Sequence, residues 1–130
     1  MYVNLRTHGV IILILLILQY GLGMFTNLFV EFPEGQSETQ TWEFAWKQWP
    51  LAAHIILGLG LFTLAVLLCI RSARVRNKRW ILASGVGLLS IFVAGASGAA
   101  FIPTQMEAYS FSMALSFVVA VVAYGWGLVS

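Results

Sequence analysis

The chain has 130 residues, of which 60% are hydrophobic and only 9% are charged. A soluble domain of this size needs far more charge to cover its surface, so the composition indicates the lipid bilayer as the main partner. The formal net charge of +2 comes from basic residues beside apolar segments, which is typical of topology signals and anionic-lipid contacts rather than of nucleic-acid binding.

Four apolar segments are predicted to be membrane-spanning helices, over residues 9–30, 51–70, 80–102 and 111–129. Each has about 20 residues, the length that a helix needs to cross about 30 Å of hydrocarbon. Transmembrane β-strands are excluded because the segments are continuously apolar rather than alternating. Two of the links are short, so consecutive helices are expected to be antiparallel neighbours. The sequence therefore predicts an all-α fold, with residues 1–130 forming one transmembrane domain, an up-down-up-down four-helix bundle.

The charged residues are divided between the links. Five basic residues crowd the link between the second and third segments, at Arg71, Arg74, Arg76, Lys78 and Arg79. All five acids lie in the other two links, at Glu31, Glu34, Glu38, Glu43 and Glu107. Lys and Arg concentrate in the cytoplasmic loops of membrane proteins. We therefore expect a multi-pass plasma-membrane protein with both termini and the 71–79 link in the cytoplasm.

The 31–50 link is long enough for a further short helix. Pro33 and Gly35 end the first apolar segment, and Ser37 with Gln40 has the spacing of a capping box. Tryptophans then recur at helical spacing, at Trp42, Trp46 and Trp49. Indole rings concentrate at headgroup depth in bilayers. We expect a short interfacial helix in this exterior loop, either as an aromatic anchor or as a lid over the bundle.

Small residues form stripes along the third and fourth segments. The third carries Ala83, Gly87, Ser90, Ala94 and Ser97, and the fourth continues from Met113 with Ser116, Ala120, Ala123 and Gly127. Such stripes let membrane helices approach closely, or leave room for a flat cofactor if the helices stay apart. Gly-x-Gly pairs also recur, at Gly21/Gly23, Gly58/Gly60, Gly85/Gly87 and Gly125/Gly127. None follows a strand, so a dinucleotide-binding site is excluded.

Polar residues at depth in a bilayer are costly and therefore point to function. Helix rise places His54 about one turn inside the outer boundary, whereas Gln19 is expected near mid-membrane. The same outer layer is predicted to hold a polar cluster with Met113, formed by Asn27, Glu31, Glu107 and Ser112. His8 lies at the cytoplasmic face, too far from His54 for one haem to be held between the two histidines.

Two roles are open for His54. In the first, it is a structural residue that hydrogen-bonds Asn27 or Glu31 across to the first helix. Alternatively it is an axial ligand of haem iron, with Met113 on the diagonal helix as the second ligand or Met24 as a less well placed one, because His and Met form a known axial pair. A b-type haem would then lie in the outer half of the bundle.

The order of these features resembles one four-helix half of the haem A synthase family. The shared features are the Gln19-Tyr-Gly-Leu-Gly-Met run, the acidic helix exit, the Trp-rich exterior loop and His54 in a Pro-Leu-Ala-Ala-His context. The resemblance implies that His54 occupies the ligand position of the second helix and that Glu31 occupies the family's acidic position after the first helix. The layout also fits a separate small family of four-helix membrane proteins.

The chain departs from the haem A synthase pattern in two places. The ligand position of the fourth helix falls near Ser112 and Met113, where there is no histidine, and the exterior-loop cysteine pair of many bacterial members is absent because Cys69 is the only cysteine. These departures argue against oxidation of a haem methyl group. Haem binding is then the property that the resemblance still implies.

Three functions follow as hypotheses. The chain is a cytochrome-like membrane protein that binds haem b through His54 for electron transfer or haem handling, or a non-catalytic subunit or assembly factor of a homo-oligomer or larger membrane complex. A small transporter is a third hypothesis, with little support because no helix carries an interior acid. Protein-only catalysis is not expected, since the sequence offers no set of nucleophile, base and orienting residue.

Overall fold

The computed structural model describes residues 4–129, which form five α-helices and no strand. The helices are α1 (Leu5–Phe29), α2 (Glu38–Lys47), α3 (Trp49–Arg74), α4 (Lys78–Thr104) and α5 (Glu107–Leu128). The four long helices, α1, α3, α4 and α5, are each long and apolar enough to cross a membrane. The predictions of an all-helical bundle and of four long apolar helices are therefore confirmed, and the chain has the make-up of a multi-pass membrane protein.

The helices extend beyond the apolar segments that predicted them because polar residues cap and continue them. The Asn4 side chain accepts a hydrogen bond from Thr7 N–H at 2.7 Å, so α1 begins at Leu5. Asn77 accepts one from Trp80 N–H at 3.1 Å and starts α4 in the same way. Apolar periodicity stops where the chain reaches water, but helical hydrogen bonding continues for another turn.

The four long helices form a closed ring in which each packs against two others. α4 and α5 make the most extensive contact, and α1 with α5 the least extensive of the four that close the ring. Neighbours are antiparallel: His8 near the start of α1 meets Arg71 near the end of α3, and Arg79 at the start of α4 meets Trp126 near the end of α5. We call the end with these four residues the basic end, and the end with α2 and the five acids the acidic end.

The half of the bundle towards the basic end holds a continuous apolar core, formed by Ile12, Leu16, Leu61, Ala65, Leu68, Trp80, Ala83, Ile91, Ala120 and Tyr124. Its two largest side chains occupy space that glycines leave open. The Trp80 ring lies against Gly9 and Gly127, and a Cβ on Gly127 would come within 2.8 Å of it. The Tyr124 ring lies against Gly87 in the same way. Close helix approach therefore depends on these glycines.

A smaller apolar cluster of Ala45, Leu51 and Ile102 lies at the acidic end, where α2 packs on α3 and α4. The predicted capping box is confirmed, since Ser37 and Gln40 exchange hydrogen bonds at 3.0 and 3.3 Å. The grouping of the three tryptophans on one helix was wrong. Gln48 interrupts the chain between α2 and α3, because its extended backbone (φ −86°, ψ 106°) leaves Trp49 as the first residue of α3.

The small-residue stripes of α4 and α5 form a tight contact, with Ser90, Ser97, Ser116, Ala120 and Gly127 among their buried members. No gap for a flat cofactor therefore separates these two helices.

Each Gly-x-Gly pair has one member that faces a neighbouring helix and one that faces away. Gly23, Gly58, Gly87 and Gly127 contact side chains of other helices, whereas a Cβ on Gly21, Gly60, Gly85 or Gly125 would meet nothing within 4 Å. Residues two apart differ by about 200° around a helix, so the two members necessarily point in nearly opposite directions.

Candidate functional site

His54 and Gln19 form a reciprocal pair that joins α3 to α1. The Gln19 side chain donates from Nε2 to the main-chain oxygen of His54 at 2.9 Å. The His54 ring lies with Nδ1 3.1 Å from the main-chain oxygen of Gln19. Each side chain thus reaches the backbone of the other helix, and both residues are half-buried. We call this arrangement the reciprocal pair.

Two glycines make the reciprocal pair possible. A Cβ on Gly23 would lie 3.0 Å from Cε1 of His54, and a Cβ on Gly58 would lie 3.0 Å from Nε2 of Gln19. Each polar residue is followed four positions later by the glycine that faces the opposite side chain, so the two helices use the same local pattern. A glycine here allows the ring and the amide to lie directly on the neighbouring helix.

The hydrogen bond to Gln19 fixes the tautomer of His54. A main-chain oxygen can only accept, so Nδ1 of His54 must carry the proton and donate. In the neutral ring Nε2 is then unprotonated and holds a lone pair. A metal-ligating histidine shows this arrangement, with one nitrogen held by a carbonyl and the other free to bind. His54 is therefore oriented as a ligand would be.

The reciprocal pair leaves one polar atom unsatisfied. Within residues 4–129, the buried side-chain atoms without a hydrogen-bond partner are His8 Nε2, Gln19 Oε1, Gln36 Oε1 and Tyr124 Oη. Nε2 of His54 is not among them, whereas the side-chain oxygen of Gln19 is enclosed. The site thus combines an unprotonated ring nitrogen on α3 with a buried acceptor on α1 that lacks a donor within residues 4–129.

The predicted outer polar cluster is not brought together around His54. Asn27 and Glu31 are exposed, and the partner of His54 is Gln19 rather than either of them. Ser112 instead lies 2.8 Å from Ser97, oxygen to oxygen, across the α4–α5 contact. The expected hydrogen bond from His54 to Asn27 or Glu31 is therefore corrected, because the ring lies over Gly23 and is directed towards the middle of α1.

The two methionines proposed as second axial ligands lie on different surfaces. Met113 is half-buried, and a Cβ on Gly98 would lie 3.2 Å from its sulfur, so its side chain packs along α4. Met24 is 40% exposed on the outer surface of α1. The structure brings neither sulfur into a described contact with His54.

Gln19 was predicted to lie deeper than His54 and was therefore not considered as its partner. It faces Gly58, four residues further along α3 than His54, which corresponds to about 6 Å of helix rise. The two side chains span this offset because each reaches diagonally to the other's backbone. The signal available in the sequence was the identical spacing of a polar residue and a glycine, Gln19 with Gly23 and His54 with Gly58.

A second polar contact lies at the basic end. His8 is only 5% exposed, and its Nδ1 lies 3.1 Å from Nη1 of Arg71. The hydroxyls of Ser72 and Ser84 are fully buried nearby along the α3–α4 contact, 3.5 Å apart. His8 is therefore packed inside the protein at this end, because the first turn of α1 lies against α3.

No group of three or more His, Cys, Asp or Glu side chains that could hold a metal ion is found among the described residues. Comparison with protein-family models, with curated proteins and with solved structures gives no match to this chain. The residues of the site therefore provide the basis for a functional proposal.

Proposed function

We propose that the chain is a membrane haem protein in which Nε2 of His54 ligates the iron of a b-type haem. The observation that carries this proposal is the hydrogen bond from Nδ1 of His54 to the main-chain oxygen of Gln19. It holds the ring in the tautomer that iron requires, and hydrogen bonding at one ring nitrogen raises the basicity of the other. The resemblance of the His54 context to a haem-ligand position points the same way.

The arrangement of His54 and Gln19 supports a haem held by a single axial histidine. His54 would supply the ligand, and the Gln19 backbone would orient it and limit its rotation. The Gln19 Oε1 acceptor, which has no donor in residues 4–129, would accept a hydrogen bond from a water molecule bound in the site. The haem iron would supply one-electron chemistry, and the axial ligand with its hydrogen bonds would set the reduction potential.

Met113 and Met24 remain our candidates for a second axial ligand. Met113 is the better placed because it lies within the bundle, whereas Met24 is more exposed. Binding through Met113 requires its side chain to leave the surface of Gly98 and turn towards α3. A six-coordinate haem is low-spin and a five-coordinate ferrous haem is typically high-spin, so Met113→Leu and Met24→Leu separate the two assignments by absorption spectroscopy.

The test is an absorption spectrum of the protein purified from haem-replete cells and after reconstitution with haem b. We expect a Soret band for the wild type and its loss in His54→Asn. Asparagine retains an amide N–H donor near the position of Nδ1 but has no counterpart of Nε2. This variant therefore preserves the contact with Gln19 while removing the ligand, and its fold is checked by circular dichroism and thermal unfolding.

A control histidine and a clear contrary result complete the design. His8→Asn should leave the Soret band unchanged, because His8 lies at the basic end beside Arg71. A wild-type protein that stays colourless after reconstitution would refute haem binding, as would a Soret band of equal intensity in His54→Asn.

We also propose that this protein lies in the plasma membrane with the basic end in the cytoplasm, on the basis of the positive-inside rule. The native Cys69 is replaced by Ser, and single cysteines are introduced at Glu38 in α2 and at Arg76 in the basic link. A membrane-impermeant maleimide applied to intact cells should label position 38 but reach position 76 only after permeabilisation. The reverse pattern would contradict the orientation.

A second function is favoured by the outward-facing glycines. Gly21, Gly60, Gly85 and Gly125 each leave open space on the bundle surface, and a glycine lowers helix stability by about 1 kcal/mol relative to alanine. Such positions suit contact with further helices, as in a non-catalytic subunit or assembly factor of a membrane complex. We expect Gly60→Leu or Gly85→Leu to reduce an oligomer in mild detergent. A monomeric wild type that co-purifies with no other protein would argue against this alternative.

A further inference from the structure

Arg71 is held in a fixed position at the basic end of the bundle. It lies in the last turn of α3, is half-buried, and its Nη1 is 3.1 Å from Nδ1 of His8. A guanidinium only donates hydrogen bonds, so Nδ1 of His8 accepts and the imidazole is neutral. The buried His8 thus directs the Arg71 side chain without neutralising its charge.

Among residues 4–129, no acidic side chain lies at the basic end beside Arg71. All five acids of the chain lie between residues 31 and 43 or at position 107, at the acidic end of the bundle. Among residues 4–129 the hydrogen-bonding partner of the Arg71 guanidinium is His8, so most of its N–H donors are left for a ligand. A guanidinium at the boundary of a membrane is costly unless an anion or water satisfies it.

Arg79 differs from Arg71 although both lie in the basic link. Arg79 donates from Nε to the Trp126 main-chain oxygen at 2.9 Å, and a second donor, Nη2, reaches the same oxygen. Its guanidinium carbon also lies 5.0 Å from the centre of the Trp126 ring. Arg79 is thus engaged within the protein, whereas Arg71 is oriented by a neutral side chain and has no acidic side chain beside it in the described part of the chain.

We propose that Arg71 binds the phosphate of an anionic phospholipid, with His8 as its positioning residue. The planar guanidinium matches phosphate through paired N–H donors, which a more mobile lysine does not provide. The surrounding cations, Arg74, Arg76 and Lys78, are exposed and draw anionic lipid to this end of the bundle. The apolar outer surfaces of α1 and α3 would lie beside the acyl chains. This proposal is independent of haem binding.

The test measures retention of defined lipids by the purified full chain. The protein is titrated in mild detergent with phosphatidylglycerol or with phosphatidylcholine, and bound lipid is counted by native mass spectrometry while thermal unfolding is followed. We expect phosphatidylglycerol to bind more tightly and to raise the unfolding temperature more. Arg71→Gln should weaken phosphatidylglycerol binding about tenfold, the loss of one charge-assisted hydrogen bond, whereas the matched control Arg74→Gln should weaken it less than twofold.

Variants with conservative changes separate positioning from general charge. Arg71→Lys keeps the charge but removes the paired donors, and we expect it to weaken phosphatidylglycerol binding several-fold. It tests the proposal even if Arg71→Gln is too unstable to purify. His8→Asn retains an acceptor near Nδ1 and should bind like the wild type, whereas His8→Leu should weaken binding. Inorganic phosphate is the probe for a headgroup site without lipid specificity, and we expect no displacement of phosphatidylglycerol at millimolar concentrations.

Three outcomes would overturn the proposal. Equal binding of the two lipids would remove the need for an anionic headgroup, and equal losses in Arg71→Gln and Arg74→Gln would indicate diffuse attraction to the whole link. Displacement of the lipid by inorganic phosphate would assign a free-phosphate site instead.

Discussion

Replacing both members of the reciprocal pair by leucine tests whether the two hydrogen bonds act separately. Each bond runs from a side chain to the main chain of the other helix. Replacing Gln19 by leucine therefore leaves the hydrogen bond from the His54 ring to the main chain intact. Replacing His54 by leucine leaves the hydrogen bond from the Gln19 amide intact. The main-chain oxygens released by either change still accept their own helical hydrogen bonds, so no unsatisfied backbone group is created.

The expected losses are small and unequal. An interhelical hydrogen bond in a membrane protein contributes about 0.6 kcal/mol on average and about 1.7 kcal/mol at most. His54→Leu should lower the free energy of unfolding within this range. Gln19→Leu should lower it by less, because the change also removes the buried Oε1 that has no partner in the described residues. The double variant should lose the sum of the two effects, with a coupling energy below about 0.5 kcal/mol.

The measurement is reversible unfolding of the haem-free protein in mixed micelles with increasing sodium dodecyl sulfate, for the wild type, both single variants and the double variant. His54→Asn is the matched control and should retain most of the stability that His54→Leu loses, since its amide can donate to the Gln19 oxygen. A coupling energy above about 1 kcal/mol, or a larger loss in Gln19→Leu than in His54→Leu, would refute this account.

Three further predictions concern the basic half and are measured by the same unfolding assay. Gly87→Ala should destabilise the bundle by about 1–3 kcal/mol because its Cβ overlaps the tyrosine ring packed there, whereas the outward-facing Gly85→Ala should be neutral or stabilising; similar losses in both would contradict the assigned faces. Arg79→Lys should cost about 0.5–1 kcal/mol through the weakened contact with Trp126, and an unchanged stability would show that this contact contributes nothing. Arg76→Gly should stabilise by about 1 kcal/mol because position 76 has a positive φ of 54°, and destabilisation would argue against that backbone conformation.

Most of the fold could be predicted from hydropathy and capping residues. Four apolar segments of spanning length give four long helices, and the Ser37–Gln40 spacing gives the start of α2. The ends of the helices could not be predicted to the residue, since capping by Asn4 and Asn77 extends α1 and α4 into polar sequence. The break at Gln48 was also hidden, because the Trp spacing continues through it.

The candidate site could be predicted only in part. His54 stands out as a histidine in an apolar segment, but its partner depends on how α1 and α3 are offset, which composition and helix length do not determine. Gln19 lies about one turn deeper than His54 and still reaches the His54 backbone. Burial of His8 was missed for a related reason, since its neighbours Arg6 and Thr7 are exposed and suggest an interfacial position.

The antiparallel ring places the start of α1 and the end of α5 at the same end of the bundle. Trp80 lies against both Gly9 of α1 and Gly127 of α5, so the first and last helices meet around one side chain. Joining the end of one copy to the start of another therefore requires only a short linker, and the two copies would have the same orientation. The architecture is thus suited to tandem duplication.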